Sequence, residues 1–211
     1  MGNEEHCCGY LAYLTGSKQF QDFLQNNLER FSRYKPKRII TTCAGCYRTF
    51  KELYPKHSAF DVEVFHIVEY IEKLISDGKM KFQKPYAAKI VYHDPCDLGR
   101  HMNVYEPPRK ILQAIPGLQL LEFKENRSLA KCCGGGGGLK AYNIDLSGEI
   151  AYRRALDAVE LGAEIIVSAC PTCKSTLQQA SAKIRKEKKG RVKVMDITEV
   201  VADALAVNVS N

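Results

Sequence analysis

The 211-residue chain has no apolar run approaching the roughly 20 residues needed to cross a bilayer, so no transmembrane segment is expected. Its first residues, M-G-N-E-E-H-C-C-G, carry neither the basic stretch nor the apolar stretch of an export signal. Met1-Gly2-Asn3 begins like a myristoylation signal, but His6 stands where Ser or Thr is required. Acids are scarce in one region. From Lys174 to Lys193, eight Lys and Arg residues face only Glu187. No nucleic-acid-binding motif accompanies this charge, and nucleic acid is not an expected partner. A solvated helix face is the plainest reading, with an acidic protein or peripheral contact with an anionic membrane as alternatives.

Hydrophobic residues make up 45% and charged residues 26%, an ordinary balance for a globular protein, and the net charge is +7. Nine cysteines without an export signal point to metal or redox chemistry in the cytoplasm rather than to disulfides. They fall in groups: Cys7-Cys8, Cys43-x-x-Cys46, Cys96, Cys132-Cys133 and Cys170-x-x-Cys173. Cys132-Cys133 runs into five glycines, Gly134 to Gly138. Such a run sacrifices backbone entropy, which makes sense if N–H groups must approach a ligand closely.

Hydrophobic periodicity predicts a helix over residues 17–34, a strand over 38–42, a helix over 47–53 ended by Pro55, a strand over 62–65 and a helix over 66–75. Beyond Pro85 it predicts strands over 88–92, 118–123, 164–168 and 192–195. Helices are expected from Pro107 and Pro108 to 115, over 144–161, from 174 and over 198–205. The alternation implies an α/β fold with mainly parallel sheets and flanking helices. The cysteines then sit at the carboxyl ends of strands, where open α/β sheets bind ligands.

The chain repeats itself. Cys7-Cys8-Gly9 recurs as Cys132-Cys133-Gly134, R-I-I-T-T-C-A-G-C as E-I-I-V-S-A-C-P-T-C, and V-F-H-I-V-E-Y-I as V-M-D-I-T-E-V-V. Three blocks in one order, offset by 125, 127 and 130, indicate duplication into units 1–84 and 85–211. The counterpart of Cys96 would fall before Met1, so the first unit is N-terminally incomplete or has lost a ligand.

The second unit holds Cys96, 35 residues, Cys132-Cys133, 36 residues, then Cys170 and Cys173. Soft thiolates suit Fe–S clusters or zinc, and a fifth thiol exceeds what tetrahedral zinc takes. Gly134 and Gly135 are candidate cofactor-binding residues through N–H donation to sulfur. Single pieces admit other readings: a lone C-x-x-C is also a thioredoxin-type dithiol, and vicinal cysteines can close a strained disulfide. The glycines are not a Walker loop, since Leu139-Lys140-Ala141 follows them. His93 and Asp94 are placed to orient a ligand or shuttle a proton, and His93 alternatively holds its turn through a backbone hydrogen bond. Arg109 either offsets cluster charge or pairs with Glu106.

Together, Y-H-D-P-C-D-L-G-R, N-V-Y-E-P-P-R, C-C-G-G-G-G-G and C-P-T-C resemble the cysteine-rich CCG family. It includes the B and D components of heterodisulfide reductase and the iron–sulfur subunits of glycolate, lactate and glycerol-3-phosphate dehydrogenases. The resemblance implies a [4Fe-4S] cluster, of noncubane type, on Cys96, Cys132, Cys133, Cys170 and Cys173. It implies a second cluster or zinc on Cys7, Cys8, Cys43 and Cys46. It further implies an oxidoreductase subunit, inactive alone, that works with flavin- or ferredoxin-type redox subunits and a disulfide or quinone-linked acceptor. An electron-transfer subunit of a flavin-dependent 2-hydroxyacid or glycerol-3-phosphate dehydrogenase is the alternative, and a zinc-stabilised assembly module is the alternative of another class. Asp97 stands where many members carry His, and Tyr10 replaces the second glycine of the first motif.

Overall fold

In the computed structural model, which describes residues 2–205, two parallel sheets carry the fold. A short helix, α1 (Tyr10–Leu14), and a long one, α2 (Gln19–Tyr34), lead into β1 (Arg38–Thr41). Then come α3 (Ala44–Arg48), a π-helical turn (Thr49–Leu53), α4 (Tyr54–His57), β2 (Glu63–His66) and α5 (Ile67–Ser76). The rest comprises β3 (Ala88–His93), α6 (Glu106–Gln113), β4 (Leu118–Leu121), α7 (Leu139–Tyr142), α8 (Ile144–Glu160), β5 (Ile165–Ser168), α9 (Pro171–Lys186), β6 (Lys193–Asp196) and α10 (Ile197–Ala204). The α/β class with parallel sheets is as the sequence implies.

β1 pairs with β2, and the larger sheet runs β4-β3-β5-β6. Strand β5 is buried along its whole length, consistent with its unbroken I-I-V-S run and with helices on both faces. Register places His93 beside Ser168 and Ser168 beside Asp196, a polar row along the carboxyl edge. β1-β2 carries the corresponding pair, Thr41 beside His66.

The element order from α1 to α5 recurs from α7 to α10. Gly9 and Gly134 both take left-handed φ, 81° and 78°. At Gly9 a Cβ would lie 2.8 Å from that of Phe23. Both final helices start with a reciprocal capping box, His66 with Glu69 and Asp196 with Glu199.

Two boundaries depart from expectation. Pro55 does not stop a helix; it occupies the first turn of α4, where its missing N–H costs nothing. Likewise α9 starts at Pro171, not Lys174, so Cys173 belongs to its first turn. The helix expected over 47–53 is α3 followed by the π turn, a widening found often beside functional sites.

One apolar core passes from Ala44, Tyr47, Val64 and Val68 into Ile90, Val91, Ile166 and Val167. A smaller aromatic cluster of Phe20, Phe31 and Tyr54 packs beneath α2. Apart from Lys174, which follows Cys173 at the start of α9, the basic run lies on the last turn of α9 and the approach to β6. Lys183, Arg185, Lys186, Lys188, Arg191 and Lys193 are exposed, Lys189 pairs with Glu187, and Lys174 pairs with Glu199.

Candidate metal centre

Each C-x-x-C pair straddles the junction of a strand and a helix. Cys43 and Cys170 are the extended N-cap residues of α3 and α9, at ψ 122° in both cases. Their partners Cys46 and Cys173 fall in the first turn, where unpaired N–H groups favour a thiolate. The vicinal pairs arrive on glycine turns. Gly134 N–H donates to Cys132 Sγ at 3.2 Å and Gly135 N–H to Cys133 Sγ at 3.4 Å. In the first copy Gly9 N–H donates to Cys7 Sγ at 3.4 Å.

The glycines are there for space as well. A Cβ on Gly134 would overlap the backbone oxygen of Ser147, and one on Gly135 would overlap the Thr176 hydroxyl. Gly136 meets nothing and has ordinary φ.

The structure brings the two cysteine sets together, which the sequence did not indicate. The thiols perturb one another in the order Cys8–Cys46–Cys43 in the first set and Cys170–Cys173–Cys133–Cys132 in the second, and Cys43 and Cys170 are neighbours across the two sets. Hydrogen bonds from Cys132 and Cys173 drive Cys133 far below the ordinary thiol range, against the cost of burial. Those from Cys170 and Cys46 take Cys43 to about 2, and Cys46 takes Cys8 to about 7. Cys132, Cys46 and Cys173 are pushed up as the donating partners. Cys96, in the turn that follows β3, is raised by burial and by its neighbours Asp97 and Cys133. All nine cysteines are unpaired thiols, with Cys7 and Cys132 exposed.

A cavity of about 480 Å³ opens over this array. Cys43, Cys96, Cys133, Cys170 and Cys173 line its floor, and Leu11, Leu14 and Ile144 its apolar wall. These residues fit an iron–sulfur group: the donors are soft thiols, and the Gly134 and Gly135 amides are aimed at cysteine sulfur.

Spacing alone did not define what several neighbours do. Asp94 is buried and takes Arg109 in a bidentate pair, at 2.8 and 3.0 Å, together with the Arg127 N–H at 2.9 Å. It therefore anchors the loop leading to Cys132. Arg109 also binds Glu122, while Glu106 pairs with Arg127; the Arg109–Glu106 pair does not form. Arg100 donates to the Ala130 carbonyl and ties the Cys96 loop to the same segment. His93 has its carbonyl held by Ser168 Oγ, and its ring nitrogen, Cys133 Sγ and Cys173 Sγ lie within 4.8 Å of one another. The replaced residues of the two copies meet: Tyr10 donates to Asp97.

The model of the CCG cysteine-rich domain matches residues 1–51 and 90–178. The chain is 38% identical, over all of its length, to the D component of a dihydromethanophenazine:CoB–CoM heterodisulfide reductase from Methanosarcina barkeri, of which it covers 52%. It is 35% identical to an EtfAB:quinone oxidoreductase from Syntrophomonas wolfei, across 97% of this chain and 29% of that one. It is 34% identical to the B component of a fumarate reductase (CoM/CoB) from Methanothermobacter marburgensis, across 92% and 38%. The chain spans about half the length, or less, of the curated relatives it matches. No helix among the described residues is long and apolar enough to cross a membrane.

Proposed function

The chain belongs to the CCG cysteine-rich domain family, and on that premise we propose that it is the cluster-bearing part of an iron–sulfur oxidoreductase subunit, inactive alone, in the cytoplasm. Cys96, Cys132, Cys133, Cys170 and Cys173 would hold a [4Fe-4S] group of noncubane type. Cys7, Cys8, Cys43 and Cys46 would hold a second cluster or zinc. The observation that carries the reading is the convergence of Cys43, Cys96, Cys133, Cys170 and Cys173 on one cavity.

A bound cluster supplies one-electron transfer. The protein's part is to hold thiolates where α9 and the glycine amides stabilise negative charge, and to exclude bulk water from the buried Cys133 and Cys173. The cavity admits a small sulfur compound beside Cys96, and a disulfide is the proposed acceptor, by analogy with the heterodisulfide reductase relative. A quinone-linked acceptor is the alternative suggested by the quinone oxidoreductase relative. Flavin- or ferredoxin-type subunits are the proposed electron donors. Residues 1–84 and 85–211 are proposed as the two units.

Anaerobic reconstitution followed by iron, sulfide and zinc analysis and EPR of the oxidised protein tests the reading. Matched iron and sulfide with an EPR signal are expected. Stoichiometric zinc without iron would instead establish the assembly-module reading.

A further inference from the structure

His93 presents a choice. Its ring lies within 4.8 Å of Cys133 Sγ and Cys173 Sγ, close enough for all three to serve one metal. Imidazole can ligate iron, but it can equally donate a hydrogen bond to a thiolate. The other side of the ring decides between them.

Arg154 Nε–H points at His93 Nδ1 from 3.4 Å. The guanidinium is 1% exposed and is fixed on three further sides. Phe123 stacks on it, with the ring centroid 3.4 Å from the guanidinium carbon. The Glu125 carbonyl accepts from Nη2 at 3.1 Å, and Asp157 lies 3.6 Å from Nη1. A guanidinium has only donors, so the nitrogen facing it must present a lone pair. With Nδ1 accepting from Arg154, the ring N–H lies on Nε2.

A metal-bound Nε2 would require that proton on Nδ1, against the guanidinium. We propose that His93 is not a ligand of the metal group but the Nε2–H donor to Cys133 Sγ, with Arg154 as the positioning residue that fixes the tautomer. A hydrogen bond to a ligating sulfur withdraws charge from it and stabilises the reduced cluster, and a buried cation behind the donor adds to this. His93 and Arg154 thus raise the reduction potential.

The assignment rests on the cluster reading above, and the reconstituted full chain tests both separately. Wild-type iron and sulfide are measured first; a wild type without iron defeats the cluster reading and takes this assignment with it. In His93→Leu and Arg154→Met, iron per chain is expected to stay at the wild-type value. The potential from EPR-monitored redox titration is expected to shift negative in both. Iron loss in His93→Leu equal to that in Cys173→Ser makes His93 a ligand and overturns the proposal, as does an unchanged potential. Should His93→Leu not fold, ENDOR on wild type with 15N-labelled histidine decides. Weak coupling supports the hydrogen bond, and the strong coupling of a directly bound nitrogen overturns it.

Discussion

The Tyr10 hydroxyl donates to Asp97 Oδ1, and Arg48 Nη1 approaches the same oxygen at 3.3 Å. The two partners are 87 residues apart, each beside one of the cysteine motifs, and each occupies a position where the family pattern differs. Arg48 is itself held by Glu52 at 2.9 Å. With Asp97 only partly exposed, a charged hydrogen bond of this kind contributes on the order of 1 kcal/mol. Tyr10→Phe and Asp97→Asn should each destabilise by about that amount, and the double variant by less than the sum. A double-mutant cycle by chemical denaturation measures it; additivity would show that the two do not interact.

The glycine run separates by position. Gly134→Ala adds a Cβ at φ +78° against backbone, so a loss of at least about 2 kcal/mol and of bound iron is expected. Gly135→Ala should behave similarly, since the Thr176 hydroxyl blocks it. Gly136→Ala has open space and should stay within about 0.5 kcal/mol of wild type. Denaturation midpoints alongside iron content read the contrast.

Asp94 satisfies three donors in a buried setting. Asp94→Ala leaves the Arg109 charge with Glu122 alone and frees the Arg127 N–H, with an expected cost of about 3 kcal/mol. Because the Arg127 loop leads to Cys132, hydrogen exchange of residues 124–133 should quicken in this variant. Unchanged exchange there would refute the anchoring role.

His66 is pressed down to about 4 by burial, with the cap of α5 using its Nδ1. Since its folded value lies below the ordinary one near 6.5, the unfolded chain takes up the proton first as pH falls. The neutral group's contribution is intact above about pH 6.5 and is lost progressively toward about pH 4, by up to about 3 kcal/mol. His66→Asn keeps an acceptor at the cap without titrating there, and its stability should fall less between pH 7 and 5. Parallel slopes for the two proteins would rule this out.

Much of the architecture was readable because the local signals agree. Strands β1, β3, β5 and β6 are apolar runs closed by polar residues, and the duplicated V-x-[HD]-I-x-E block announces both capping boxes. The cysteine groups were legible from spacing. What spacing could not supply was the meeting of Cys43 with Cys170, since helix lengths fix only the placement of each pair on its own sheet. Arg154 was also hidden: in sequence it is one more cation on an amphipathic helix, and only packing against Phe123 turns it toward His93. The short helices α1 and α7 have too few residues for a periodic pattern.

The core that runs from Tyr47 and Val68 into Ile90 and Val167 has a historical side. Copies joined by a flexible tether can drift apart independently, whereas copies that share interior atoms cannot. A change of volume at Tyr47 is felt by the larger sheet, so substitutions accepted in one copy are filtered by the other. A copy held in this way persists as part of its twin's foundation.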